Sequence, residues 1–145
     1  MAITMDKKLV PKYSTKYLRV YTVNPTYVCK HWDMEYVGGS QSHVDKYVPH
    51  GEIWVSNCFS PLEFKYYLLH EMYEYRIMAE DDLDYHTAHA LATMLEKKAR
   101  LGSENLVDKM IQDELNKQKD SIISHCHKKK QRQYRDYSNQ IVKSR

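Results

Sequence analysis

The pattern of hydrophobic and polar positions divides the 145-residue chain into a β-like first part and a helical second part. Between residues 17 and 57, short runs rich in Val, Tyr, Trp and Ile alternate with turn residues such as Asn24-Pro25 and Gly38-Gly39. Such runs are typical of short strands. We therefore expect a small antiparallel sheet of about four strands, formed by the segments YLRVYTV, TYVCKHW, MEYVGG, KYVPH and EIWVSN.

The helical part begins with a strong start signal at Ser60-Pro61-Leu62-Glu63. Ser suits the N-cap, Pro suits the first helical position, and Glu is placed to complete a capping box. This first helix is predicted to end near Glu80. A second is predicted to run from the cap residue Asp84 to about Leu101, and a third to begin at Ser103.

Together these patterns predict one α+β domain over residues 1–124, because a chain of this length can bury a single core. In it, a small antiparallel sheet packs on an antiparallel helical hairpin with an additional C-terminal helix. Residues 1–12 carry no periodic signal and are expected to form a loosely attached arm. Residues 125–145 are expected to form a basic C-terminal tail.

The charge of the chain is unevenly distributed. The tail contains seven Lys or Arg residues and one acidic residue, Asp136, so its net charge is +6. Because the whole chain has a net charge of +3, the remaining residues have a net charge of −3. This asymmetry is compatible with weak nucleic-acid contact through the tail. The commoner explanation of such a charge run is a solvated helix face or a frayed terminus. The cations are Lys128, Lys129, Lys130, Arg132, Arg135, Lys143 and Arg145.

Cysteine usage and the hydrophobic runs indicate the compartment. Cys29, Cys58 and Cys126 are odd in number and show no CxxC spacing, and the start of the chain has no apolar signal-peptide region. No run approaches the roughly 20 apolar residues that a membrane span needs. We therefore expect a cytoplasmic protein without membrane contact; its oligomeric state is not indicated.

The motif with the clearest chemistry is His70-Glu71-Met72-Tyr73-Glu74, an HExxE inside the first predicted helix. Residues four apart share a helix face, so His70 and Glu74 can present a nitrogen and an oxygen to the same point. Glu71 is turned about 100 degrees away along the helix, which is the placement of a general base in HExxH enzymes.

The second predicted helix supplies a third candidate ligand, His89. This residue falls within an apolar stripe that includes Ala88 and Ala92, and the register of a helical hairpin places it within one turn of both His70 and Glu74. Glu96 and His86 are alternative or additional ligands. If Glu96 were a fourth ligand, it would close the site and make it structural.

Two imidazoles and a carboxylate form a standard three-ligand zinc set that leaves one position for water. The sequence therefore predicts Zn²⁺ held by His70, Glu74 and His89, with Glu71 as the catalytic base of a hydrolase acting on an amide or related bond of a protein or peptide. In the alternative without a metal, the side chains of His70 and Glu74 form hydrogen bonds that hold the two predicted helices together.

Two other histidine groups are weaker candidates. His125-Cys126-His127 resembles a metal triplet, but adjacent residues point apart and no partner cluster lies nearby in the sequence. His43 follows Gly38-Gly39, and loops beside a pocket commonly supply one polar group.

The arrangement resembles a zincin with permuted ligand types. In the thermolysin-like branch an HExxH helix is followed by a Glu on a later helix, whereas here HExxE is followed by His89. The strand at Glu52-Ile53-Trp54-Val55 resembles the edge strand that lines the zincin cleft. The resemblance implies zinc and hydrolysis, although Glu74 replaces the second motif histidine and the spacing to His89 is short, so peptidase activity does not follow directly.

A longer pattern is similar to a group of small phage and environmental proteins, over about residues 37–100. That similarity implies a shared fold and a viral origin, with the host cytoplasm as location, and it implies no activity. A non-enzymatic viral accessory protein with a structural site and a docking tail is therefore the alternative to the hydrolase. The pattern comprises Gly38-Gly39, Val48-Pro49, Glu52-Ile53-Trp54, Leu69-His70-Glu71, Glu74, Met78, Tyr85, Ala88-His89, Ala92 and Glu96.

Overall fold

The chain has an α+β fold, as the sequence predicts, with its three long helices following the last strand. The computed structural model describes residues 2–118, so the predicted tail at 125–145 lies outside the described range. The elements are β1 (Lys8–Leu9), a 3-10 helix (Pro11–Tyr13), β2 (Arg19–Val23), α1 (Pro25–His31), β3 (Gly39–Gln41), β4 (Glu52–Ser56), α2 (Pro61–Glu80), α3 (Tyr85–Leu101) and α4 (Glu104–Gln118).

The sheet is mixed, so the prediction of an antiparallel sheet is wrong. Its strand order is β1-β2-β4-β3. The two outer pairs are antiparallel, but the central strands β2 and β4 are parallel, with Val20 opposite Ile53. Parallel neighbours need a long crossover connection, and here α1 and β3 lie within it. Sequence alternation does not encode this choice because either pairing direction gives the same two-residue period.

The predicted strand TYVCKHW is also wrong, because these residues lie largely in α1. The Asn24 side chain accepts a hydrogen bond from the Thr26 N–H at 2.9 Å, and Pro25 occupies the first turn. This cap and proline determine the local structure more strongly than the β-forming residues that follow. The segment KYVPH forms no strand in the described chain, and the MEYVGG strand is displaced to β3.

Residues predicted as a loose arm contribute to the sheet. Lys8 and Leu9 pair with β2, and the Asn24 N–H donates to the carbonyl of Met5 at 2.8 Å. Lys7 also forms an ion pair with Glu52 at 2.7 Å. Pairing of this kind uses the backbone and a few charges, so it leaves no hydrophobic period in the sequence.

The three long helices begin and end close to the predicted residues because their caps are local. The Ser60 side chain accepts from the Glu63 N–H at 3.2 Å, and Asp84 accepts from the Thr87 N–H at 2.7 Å. Among the described residues, no helix has both the length and the apolar surface required to cross a membrane.

Helix α2 lies at the centre of the packing, in contact with β3, β4, α3 and α4. The core joins apolar side chains of the sheet to one side of α2 and those of α3 and α4 to another. Because α2 is covered on several sides, its polar residues are buried along with its apolar ones. The core residues are Leu18, Val20, Ile53, Val55, Tyr66, Leu68, Leu69, Met72, Tyr75, Ala99, Val107, Ile111 and Leu115.

Candidate metal centre

The central position of α2 places His70, Glu71 and Glu74 in the interior. Burial of ionisable groups is costly unless they are paired or coordinate a metal. The surroundings of these three side chains therefore indicate what they do.

The predicted ligands His70, Glu74 and His89 converge. Glu74 Oε2 lies 3.1 Å from His70 Nε2 and 3.0 Å from His89 Nδ1, and the two imidazole nitrogens are 3.2 Å apart. His70 and Glu74 are buried, whereas the side chain of His89 is 47% exposed. The group as a whole could hold a metal ion.

The triangle of donor atoms has the size that a tetrahedral ion requires. Metal–nitrogen and metal–oxygen bonds of about 2.0–2.1 Å separate neighbouring tetrahedral ligands by about 3.3–3.4 Å. The three observed separations are within a few tenths of an ångström of that value.

The second nitrogen of His70 faces Glu96. Its Nδ1 lies 3.0 Å from Glu96 Oε1, while Arg100 Nε donates to Glu96 Oε2 at 2.8 Å. Arg100 also donates twice to Glu63, at 2.9 and 2.6 Å. Glu96 thus lies on the opposite side of the ring from the triad and orients His70, as carboxylates commonly orient metal-bound imidazoles.

The second oxygen of Glu74 is held by Gln41. Gln41 Nε2 donates to Glu74 Oε1 at 2.9 Å, and Gln41 Oε1 accepts from the His43 N–H at 2.7 Å. Burial alone would raise the pKa of Glu74, but hydrogen bonds to His70 and Gln41 keep that pKa below its ordinary value. Sequence analysis missed Gln41, because a polar residue on a short strand gives no signal of its partner 33 positions away.

The surroundings of Glu71 shift its pKa in the opposite direction from that of Glu74. Burial raises the pKa of Glu71 well above its ordinary value, and the neighbouring carboxylates of Glu74, Asp45 and Glu96 raise it further. Its side chain packs against the backbone of Gly39, where a Cβ would lie 2.9 Å from Glu71 Oε1. Glycine at position 39 therefore makes room for the carboxylate.

A pocket of about 440 Å³ opens beside these residues. His70, Glu71 and Glu96 form part of its lining, with His89 and Tyr85 from α3. The Tyr85 hydroxyl lies 3.5 Å from His89 Nδ1. The opposite wall is the segment from Asp33 to Gly39, which leads into β3.

The edge strand beside the pocket is not the strand that the sequence predicted for this position. β4, which contains Glu52-Ile53-Trp54-Val55, is paired on both sides, by β2 and β3. The prediction that this segment is an edge strand, as in a zincin, is therefore wrong, because β4 is an interior strand. Among the described strands, β3 is the edge on the side of the pocket.

The remaining predicted histidines take other positions. His86 is exposed on α3 and lies outside the triad, so it is not brought to the site as an alternative ligand. His43 is buried with its ring stacked on Tyr75, at 4.0 Å between centroids. His125-Cys126-His127 lies outside the described residues.

No protein-family model, curated protein or solved structure matches this chain. The similarity to zincins and to the group of small phage proteins therefore stays a prediction.

Proposed function

We propose that the protein is a zinc-dependent hydrolase of zincin-like design that acts on amide bonds such as those of peptides. The observation that carries this proposal is the convergence of His70 Nε2, Glu74 Oε2 and His89 Nδ1 at the edge of a pocket that Glu71 also lines. Glu96 is engaged by His70 Nδ1 and by Arg100, which supports a set of three protein ligands with one position left for water.

Each residue has a distinct task in this proposal. Bound zinc would lower the pKa of a water molecule and polarise a carbonyl group. Glu71 would accept a proton from the nucleophile and deliver it to the leaving amine. The positive charge of an ion nearby favours the ionised form of Glu71, which counteracts the burial that raises its pKa. Tyr85, which lines the same pocket, would donate a hydrogen bond to a developing oxyanion.

The first test is zinc content by elemental analysis of the full chain, purified without a histidine tag or added metal. We expect near-stoichiometric zinc in the wild-type protein. His70→Ala should lose the metal and any activity, because it removes a ligand. Glu71→Gln should retain zinc and lose hydrolysis of peptides found by screening, because the amide cannot accept the proton.

The matched control is His86→Ala, which removes an exposed histidine of α3 three residues before His89. It should retain both zinc and activity. Unaltered hydrolysis by Glu71→Gln would rule out the role of this residue even if zinc is present. Absence of zinc from the wild-type protein, after an attempt to load it, would overturn the metal site.

The second candidate is a non-enzymatic accessory protein, as in a phage, with a structural site and a docking tail. It is favoured by the chain of contacts from Glu63 through Arg100 and Glu96 to His70, which joins α2 to α3 without any metal. In that case residues 125–145 would bind nucleic acid. Deletion of this segment should then abolish salt-sensitive duplex binding.

A further inference from the structure

Glu96 lies beside the candidate metal site without belonging to its three ligands. It lines the same pocket as His70 and His89, and its Oε1 atom is 3.0 Å from His70 Nδ1. A carboxylate is attracted to a divalent cation nearby, and a fourth protein ligand would close the site to water. The proposed hydrolase therefore needs a means of keeping Glu96 away from the fourth metal position.

Arg100 engages the second oxygen of the Glu96 carboxylate. Its Nε atom donates to Glu96 Oε2 at 2.8 Å, so each of the two carboxylate oxygens contacts a different side chain. The guanidinium also places a positive charge against Glu96, which reduces the attraction of that carboxylate to another cation. The side chains of Glu96 and Arg100 are only 21% and 34% exposed, so solvent screens this contact less than it would on an open surface.

The position of Arg100 is in turn fixed by α2. Its Nη1 and Nη2 atoms donate to the two oxygens of Glu63 at 2.9 and 2.6 Å, which is the bidentate geometry of a guanidinium and a carboxylate. The guanidinium also lies 4.5 Å from the centre of the Tyr66 ring. Because the planar guanidinium is held by both Glu63 and Tyr66, it offers Glu96 a donor at a defined position.

We propose that Arg100 is a positioning residue that keeps Glu96 in contact with His70 and so leaves the fourth metal position open for water. Arg100 does not itself line the pocket, so its effect on the site passes through Glu96. This inference rests on the proposed zinc site and adds how the protein selects three protein ligands over four. Without Arg100, the Glu96 carboxylate would bind the ion, and the site would become structural.

Access to the fourth position can be measured without a substrate. The full chain is loaded with Co²⁺ in place of Zn²⁺, because the visible absorption of Co²⁺ reports its ligands, and imidazole is titrated into it. At about pH 8 most of the imidazole is neutral, so a change in protein charge does not by itself alter its attraction to the site. We expect imidazole to change the spectrum of the wild-type protein.

The first variant is Arg100→Met, which keeps the aliphatic stem and removes the charge and the donors. We expect imidazole to bind at least about tenfold more weakly, because Glu96 then competes for the same position from within the molecule. Arg100→Gln, which is also neutral, should show the same loss and serves if Arg100→Met does not melt like the wild type. An imidazole affinity equal to that of the wild type in a folded neutral variant would overturn the inference.

A second substitution tests whether Glu96 is the competing ligand. In Arg100→Met/Glu96→Gln, imidazole binding should return close to that of the wild type. The amide oxygen of Gln can still accept from His70 Nδ1 but is a much weaker metal ligand than a carboxylate. A loss that persists in the double variant would overturn the inference, because Arg100 would then act by another route.

Lys98→Met is the matched control, since it removes an exposed positive charge from the same helix two residues before Arg100. It should bind imidazole like the wild type. An equal loss in Lys98→Met and Arg100→Met would show a general effect of charge and would also contradict the role of Arg100.

The outcomes separate this inference from the proposed function. If the wild-type chain takes up neither cobalt nor zinc, the metal site fails and the role of Arg100 fails with it. If the variants behave as expected but no peptide is hydrolysed, the open position is supported and the hydrolase is contradicted. Hydrolysis by the wild type, with unchanged imidazole binding in the neutral Arg100 variants, would support the hydrolase and contradict the role of Arg100.

Discussion

Gln41 is the residue on which the orientation of the Glu74 carboxylate depends most directly. We expect Gln41→Met, which preserves length and burial, to weaken zinc binding about 10- to 100-fold, because a ligand carboxylate loses its orienting hydrogen bond. Competition with a chelator measures this. Gln112→Met, an exposed site on α4, is the control. Zinc affinity that is equal in Gln41→Met and the wild type would show that the amide plays no part in the site.

The substitution Gly39→Ala tests the role of Glu71 without changing any titratable group. A methyl group at position 39 would lie 2.9 Å from Glu71 Oε1 and 3.1 Å from its Cγ, so the carboxylate must move. Because the side chain of Glu71 can rotate away, we expect Gly39→Ala to fold and to retain zinc but to lose most of its hydrolytic activity. Activity and zinc content are measured on the same preparation. Full activity would mean that the position of Glu71 is unimportant.

The candidate ligands could be predicted from the sequence because their geometry is local. His70 and Glu74 share a face of one helix, and His89 follows after a short connection whose length fixes its level beside them. Gln41 and Arg100 could not be assigned in this way. Their roles depend on tertiary contacts, and polar residues at such positions are common on ordinary surfaces.

At the scale of the elements, α2 and α4 are joined by a buried ion pair. Arg76 contacts Glu114 at 2.7 and 3.0 Å and also Glu80 at 2.8 Å. Removal of one partner from such a pair typically costs about 3–5 kcal/mol, because the other charge stays buried. We expect Glu114→Gln to lower the free energy of unfolding by about 3 kcal/mol, as measured by urea denaturation.

Glu80→Gln is the matched control for this pair. It removes an acceptor of the same arginine, but the Glu80 side chain is 39% exposed, so the loss should stay below about 1 kcal/mol. Similar losses in the two variants would show that burial does not distinguish these contacts.

The helices were predicted more accurately than the sheet for a physical reason. Caps such as Ser60 and Asp84 act within three residues, so the sequence contains the whole signal. The same type of signal at Asn24-Pro25 begins α1, whereas the prediction gave more weight to the β-forming residues that follow it. The parallel pairing of β2 and β4 joins residues about thirty positions apart, which local patterns cannot specify.

At the scale of the whole molecule, Glu71 makes stability depend on pH in the metal-free protein. Its pKa in the folded state is raised above the ordinary value of 4.5. A carboxyl group of this kind contributes stability that is fully present below its unfolded pKa and is lost as the pH rises through the folded pKa. We expect Glu71→Gln to raise the melting temperature at pH 7 in the presence of a chelator, with the gain disappearing near pH 4.

Glu63→Gln should behave in the opposite way. Arg100 holds the pKa of Glu63 below its ordinary value, so the contribution of Glu63 is present at pH 7 and is lost as the pH falls through the lowered pKa. Thermal melts of both variants across this pH range provide the comparison. A lower melting temperature of Glu71→Gln at pH 7 would mean that Glu71 belongs to a stabilising hydrogen-bond network.

The three candidate ligands lie between residues 70 and 89, whereas the parallel strands pair residues 19–23 with 52–56. An ion held by these residues would close only a short loop between α2 and α3, so the entropy of closure would be small and the contact could form early during folding. The pairing of β2 with β4 requires the closure of a longer loop. A nascent chain in which only α2 and α3 had formed would thus already contain the three candidate ligands, before β3 brought Gln41 into contact with Glu74.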